Sequence, residues 1–262
     1  MIHYPTIDPV LVSIGPLQIR WYGLAYIAGI FVAMRYLKTT FIRQFSFSKD
    51  QQSTLMIVLL LGIMVGGRLG YILFYDLAYY IQHPGQWIAV WQGGMSYHGG
   101  GIGAVVAMIY LSKKFSVSFL SLLDILGIGS TFGLFFGRIA NFINGELYGR
   151  VTDVPWAMVF PGSGGLPRHP SQLYEALFEG VLLFLILHYV KNRFALKPGQ
   201  LFGVYLLGYG VFRFCIEFFR QPDAHLGTVW GVLSMGQVLC MVMMMGGVVF
   251  CRLKSDKPFY FF

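Results

Sequence analysis

Charge is what this sequence has least of. Asp, Glu, Lys and Arg make up 11% of its 262 residues, against 56% hydrophobic and 17% aromatic, and the mean hydropathy is +0.64. Soluble domains are about one-quarter charged, so a water-soluble globular fold is excluded. Cysteine is nearly as scarce. Cys215, Cys240 and Cys251 sit in or beside apolar runs with no pairing or metal-ligand spacing, which excludes a disulfide scaffold and a thiolate metal site and leaves small packing residues. The opening MIHYPTIDPV lacks a basic segment followed by an apolar core and a small-residue cleavage site, so no removable signal peptide is expected. Long polar stretches are missing too. Residues 1–262 are therefore expected to form a single integral-membrane domain.

What the chain does have is a series of apolar runs. A spanning helix needs about 20 apolar residues, and the runs at 18–37, 53–75, 95–112, 119–143, 172–190, 199–219 and 229–250 meet that length or come close to it. The expected fold is all-α, a polytopic membrane protein of about seven transmembrane helices. A formal net charge of +8 would suit nucleic acid only if the cations lined one surface. Instead Arg35, Lys38, Arg43 and Lys49, then Lys113 and Lys114, then Lys191, Arg193 and Lys197, and finally Arg252, Lys254 and Lys257 fall in alternate connections. By the positive-inside rule those connections are cytoplasmic, with the N-terminus outside, the C-terminus inside and no nucleic acid among the partners. Arms and loops at 1–17, 76–94 and 150–170 are then left on the outer face.

The remaining cations, Arg20, Arg68, Arg138, Arg150, Arg168, Arg213 and Arg220, are all Arg. Arg forks two parallel hydrogen bonds onto phosphate or carboxylate and is weakly hydrated, so it suits a buried anion site. Two helix ends concentrate it. The stretch 137–150, GRIANFINGELYGR, continues the apolar run 120–136 without a break and carries Arg138, Asn141, Asn144, Glu146 and Arg150. Intramembrane ionisable groups are functional suspects; a polar seam between helices is the structural alternative. On a helix Arg138, Asn141 and Gly145 share one face. In the sixth run Arg213, Glu217 and Arg220 also share a face, either as a site or as an ion-pair staple. Both ends point to one chemical need, an anion, with a lipid phosphate as the candidate.

His98 opens the third run and is followed by Gly99, Gly100, Gly101 and Gly103. A glycine run weakens a helix, so something is expected to approach that backbone closely; His98 reads as a site residue or as a satisfied structural one. In the second run Gly62, Gly66 and Gly70 form a close-packing face, interrupted by Arg68, which either snorkels to headgroups or serves a site. Tyr22 belongs to an interfacial aromatic belt or turns its hydroxyl inward with Tyr26. Asp124 lies in the first turns of its helix and is read as a complement to the helix dipole; Glu175 and Glu179 lie one turn apart at the start of theirs, where that structural work suffices for at least one of them.

These segments carry a resemblance. GRIANFINGELYGR is similar to the signature of the prolipoprotein diacylglyceryl transferase family, and RWYGLAY, GGRLGY, GGMSYHGG, RHPSQLYEA and RFCIEFFRQPD resemble further segments of it, so the likeness covers nearly the whole chain without a departure at the motif positions. The resemblance implies a multi-pass enzyme of the bacterial inner membrane whose active site faces the outer, periplasmic leaflet. It implies transfer of the diacylglyceryl group of phosphatidylglycerol to the thiol of the lipobox cysteine in a preprolipoprotein signal peptide, forming a thioether and releasing glycerol phosphate. No metal or organic cofactor is implied.

On that chemistry the substrate's sulfur attacks as thiolate, His98 is the candidate base, and Arg138 and Arg213 are the candidate clamp on the departing phosphate. Asn141, Asn144 and Glu146 are expected to bind the lipid headgroup or to orient Arg138, Arg220 to bind the headgroup, Glu217 to fix Arg213, and Tyr22 or Tyr209 to donate a hydroxyl. Gly99, Gly100, Gly145 and Gly149 are expected to permit close approach. One alternative is a lipid or small-anion transporter, or flippase, with the buried Arg and Glu as its path. Such folds show inverted repeats, and none is evident here. A non-catalytic lipid-binding protein is the other.

Overall fold

The computed structural model describes residues 2–5, 7–15, 17–39, 47–90, 93–221, 228–229 and 233–253. Arg43, Lys254 and Lys257 of the alternating cation pattern lie outside the described residues. The chain opens with strands β1 (Ile2–His3), β2 (Val10–Ile14) and β3 (Leu17–Arg20), then helices α1 (Trp21–Leu37), α2 (Lys49–Tyr75) and α3 (Leu77–Gln82). After a 3-10 turn at Pro84–Ile88 come α4 (Tyr97–Phe115), α5 (Phe119–Ile143), β4 (Met158–Val159) and β5 (Pro167–Arg168). The sequence of elements ends with α6 (Ser171–Glu175), a π-helical stretch Ala176–Leu182, α7 (Leu183–Arg193), α8 (Gln200–Ile216), β6 (Thr228–Val229), β7 (Leu233–Ser234) and α9 (Met235–Cys251). The protein is mostly helical. α2, α5 and the continuous helix Ser171–Arg193 are long and apolar enough to cross a membrane, and α1, α8 and α9 are shorter apolar helices.

The backbone divides into two compact units, Phe41–Leu123 and the pair Met1–Thr40 with Asp124–Phe262. In Phe41–Leu123 the helix α2 starts ahead of its apolar run because Ser48 and Gln51 cap each other's backbone, at 3.2 and 2.9 Å. α2 and α4 pack glycine on glycine. A Cβ at Gly66 would stand 2.4 Å from the Gly99 carbonyl oxygen, and one at Gly103 would stand 1.9 Å from that of Gly62. The backbones touch where any side chain would hold them apart. Arg68, 4% exposed, does not snorkel: its guanidinium donates to the carbonyls of Gln86, Trp87, Gly93 and Gly94 at 2.6–3.1 Å. It ties Gln86, Trp87, Gly93 and Gly94 to α2.

In the other unit the β-branched-rich VLVSI and the alternating LQIR form an antiparallel hairpin that turns at Gly15, φ +59°. α1 accordingly begins at Trp21 rather than at residue 18, because a period-two pattern selects strand over helix. Likewise α9 begins at Met235, after the run starting at 229, where Ser234 and Gln237 form a second capping box. β1 runs parallel to β4, which is antiparallel to β5. The core of this unit lies between α1, α5 and α7, where Tyr36 meets the rings of Phe132 and Phe184 and its hydroxyl bonds His188 Nδ1 at 2.8 Å. Asp124 does not serve the dipole of its own helix. Fully buried, it accepts the N–H groups of Gly199 at 2.8 Å and Phe202 at 2.7 Å, so it caps α8.

Candidate active site

Three helix ends bring ionisable side chains together. α5 carries Arg138 and Asn141 in its last turns, α6 carries Glu175 and the π-helical stretch Glu179, and α8 with the turn after it carries Arg213, Glu217 and Arg220. Glu175 is the hub. It is fully buried; its Oε2 meets Arg138 Nε and Arg213 Nη1, each at 2.8 Å, and its Oε1 meets Arg220 Nη1 at 2.9 Å. Glu217 holds Arg213 Nη2 at 3.0 Å and lies 3.7 Å from Arg220 Nε. Glu179 is also fully buried, 3.9 Å from Arg213 Nη1, and its oxygens have no hydrogen-bond partner among the described residues.

The spacing of Arg213, Glu217 and Arg220 placed them on one face; α8 ends at Ile216, yet the turn after it keeps the three together, and the structure joins Arg138 to them through Glu175. Sequence reasoning missed Glu175 and Glu179, whose position in the first turns of a helix satisfies a dipole equally well. The three guanidinium side chains are only 12–20% exposed. Charges already desolvated and held in place are what a developing anion needs, since they stabilise it without reorganising.

A polar chain extends from this cluster. Arg138 Nη1 donates to Asn141 Oδ1 at 3.3 Å, Asn141 Nδ2 donates to Glu146 Oε1 at 2.8 Å, and Asn144 Nδ2 reaches the same oxygen at 3.4 Å. Asn144 Oδ1 is buried and has no hydrogen-bond partner among the described residues. Tyr22, half-buried, has its hydroxyl 3.2 Å from that of Tyr26 and lies within electrostatic reach of Arg138 and Glu146. Tyr209 is buried one turn before Arg213 and within reach of it.

The four expected close-approach glycines are occupied by the protein itself in three cases. α5 ends at Ile143, so Gly145 leaves its face, turns left-handed at φ +66° and packs on Pro161. Gly149 is pressed by the Phe219 carbonyl, 2.3 Å from where a Cβ would sit, and Gly99 by α2. At Gly100 a Cβ would make only ordinary contact, 3.5 Å from Ile63 O. His98 and these two α4 glycines belong to the Phe41–Leu123 unit, where His98 is exposed on the first turn of α4. In the 150–170 connection Arg150 Nε donates to Arg220 O at 2.7 Å, and His169 Nδ1 lies 3.1 Å from the Tyr174 hydroxyl. Partial burial pushes the His169 imidazole below its ordinary pKa.

The family model described as prolipoprotein diacylglyceryl transferase matches residues 9–253. Proteins named phosphatidylglycerol–prolipoprotein diacylglyceryl transferase are similar along almost their entire length. The one from Geobacter sulfurreducens is 48% identical over 255 residues, covering 97% of this chain and 98% of its own. That of Pseudoalteromonas translucida is 49% identical over 251 residues, covering 94% and 92%, and that of Aliivibrio fischeri 48% over 263 residues, covering 99% and 94%. A family match across residues 9–253, with relatives close to half identical at this coverage, settles the assignment: the chain belongs to the prolipoprotein diacylglyceryl transferase family.

Proposed function

We propose that this chain transfers the diacylglyceryl group of phosphatidylglycerol to the thiol of the lipobox cysteine of a preprolipoprotein. It is a transferase of lipoprotein biosynthesis: a carbon–sulfur bond forms, the carbon–oxygen bond to the phosphate breaks, and glycerol phosphate leaves. The observation that carries the reading is the trio of part-buried guanidinium groups on the fully buried Glu175 in a chain of this family. Charge gathers on the phosphate as the carbon–oxygen bond breaks, and Arg forks match its oxygens.

In this reading Arg138 and Arg213 take the phosphate with Arg220 beside them, while Glu175 and Glu217 hold the forks. Asn141, Asn144 and Glu146 bind the headgroup glycerol; the unpartnered Asn144 Oδ1 supports this, as an acceptor for a glycerol hydroxyl. Tyr22 and Tyr209 donate hydroxyls, and His98 takes the thiol proton as the thiolate forms. No metal or organic cofactor enters. Residues 1–262 act as one domain with about seven spans, N-terminus outside and C-terminus cytoplasmic, in the bacterial inner membrane with the site toward the outer leaflet.

The test is to incubate purified protein with phosphatidylglycerol vesicles and a lipobox peptide and to look by mass spectrometry for the diacylglyceryl adduct on cysteine. The transporter reading expects lipid to change leaflets with no adduct. Folded protein that yields none rejects the transferase.

A further inference from the structure

The reaction leaves Ser171 and Gln172 without a role, yet both are fully buried. Gln172 Nε2 donates to the backbone carbonyl of Glu146 at 2.6 Å, and Ser171 Oγ donates to that of Leu147 at 3.2 Å. Leu147 has φ +57°, a left-handed conformation that favours glycine and burdens a leucine. The residue is 49% exposed, so burial does not compensate the strain. Strained backbone of this kind persists where its surroundings over-determine it. The surroundings here are two buried donors at the start of α6, the helix that also carries Glu175.

We propose that Gln172 is a positioning residue whose amide, helped by Ser171, holds the Glu146–Leu147 turn in its left-handed form and so keeps the Glu146 carboxylate on Asn141 and Asn144. The inference rests on the reading that Glu146 and the two Asn bind the phosphatidylglycerol headgroup. Carbonyl and carboxylate of Glu146 share one Cα. Releasing the carbonyl lets the residue rotate and takes the carboxylate away from Asn141 Nδ2, which it now meets at 2.8 Å.

Gln172→Met keeps length and apolar packing and removes the donor. The expected result is a KM for phosphatidylglycerol raised about five- to tenfold, the effect of one buried hydrogen bond, with kcat at saturating lipid within about twofold of wild type. A purely structural role would lower thermal stability and yield while leaving the KM of the folded enzyme unchanged, and that outcome overturns the proposal. Adding Leu147→Gly to Gln172→Met is expected to bring KM back toward wild type, because glycine adopts positive φ without a clamp. No recovery also overturns it.

Ser171→Ala removes only the longer bond and is expected to raise KM about two- to threefold; it carries the test if Gln172→Met does not fold, and an unchanged KM there counts against the clamp. Glu146→Gln separates the two levels of argument. If it raises KM while Gln172→Met does not, the positioning role fails and the headgroup reading stands. If Glu146→Gln leaves KM unchanged, the headgroup reading falls and the proposal with it.

Discussion

Replacing Glu175 by Gln keeps the shape of the cluster hub and removes its charge. In the wild type two carboxylate oxygens meet three guanidinium groups at 2.8–2.9 Å with no solvent access. Gln would offer one acceptor and turn an NH2 group toward a guanidinium, donor against donor. Neutralising one partner of a buried ion pair destabilises by about 3–5 kcal/mol. Because the cations retain Glu217, at 3.0 Å from Arg213, the lower end is expected, roughly 3 kcal/mol. For a chain of this size that lowers the thermal midpoint by about 6–12 °C, readable by intrinsic fluorescence of purified enzyme in nanodiscs. The same variant leaves the guanidinium groups short of one counter-charge. Glycerol phosphate is therefore expected to raise its midpoint more than that of wild type, adding about 2.7 kcal/mol at a hundred times its Kd. A Gln variant as stable as wild type, or one indifferent to glycerol phosphate, would refute Glu175 as the internal counter-anion of the site.

Four further outcomes are expected. Arg138→Lys and Arg213→Lys lose most adduct formation because a point charge cannot reproduce a fork; wild-type-like transfer by both removes the clamp. His98→Gln slows transfer at neutral pH, and a near-full rate in the same assay hands proton removal to another group. Arg68→Lys leaves some of the carbonyls of Gln86, Trp87, Gly93 and Gly94 unmet at a cost of about 2–4 kcal/mol, seen as faster amide hydrogen exchange in residues 84–90; unchanged exchange means that this segment does not depend on the fork. Asp124→Asn keeps one acceptor for the start of α8 and loses the other, lowering stability by about 1–2 kcal/mol in thermal denaturation, and an unshifted midpoint rejects the cap.

What was legible in the sequence follows the range of the interaction. Apolar length locates the helices, and the shared face of Arg213, Glu217 and Arg220 comes from spacing alone. The capping boxes Ser48–Gln51 and Ser234–Gln237, which apolar length does not register, set two helix starts away from the edges of their apolar runs. Glu175 was not legible. Its partners Arg213 and Arg220 lie 38 and 45 residues away, and an acid at that point in a helix already has a sufficient local explanation. Arg68 is hidden for a different reason: its acceptors are backbone carbonyls, which every residue has. The glycines after His98 announce a close approach without naming what approaches, and the α2 backbone answers for Gly99 and Gly103.

The Asp124 cap has a mechanical consequence. Asp124 and Arg138 lie on one helix about 21 Å apart at the α-helical rise. At one end Asp124 grips the first N–H groups of α8; at the other Arg138 shares a Glu175 oxygen with Arg213 of the same α8. Two beams braced at a single point can scissor. Beams braced at both ends cannot tilt or slide without snapping a brace. Flexing within this unit is thereby left to the connections around α5 and α8, while the helix pair keeps the spacing of Arg138 and Arg213 fixed.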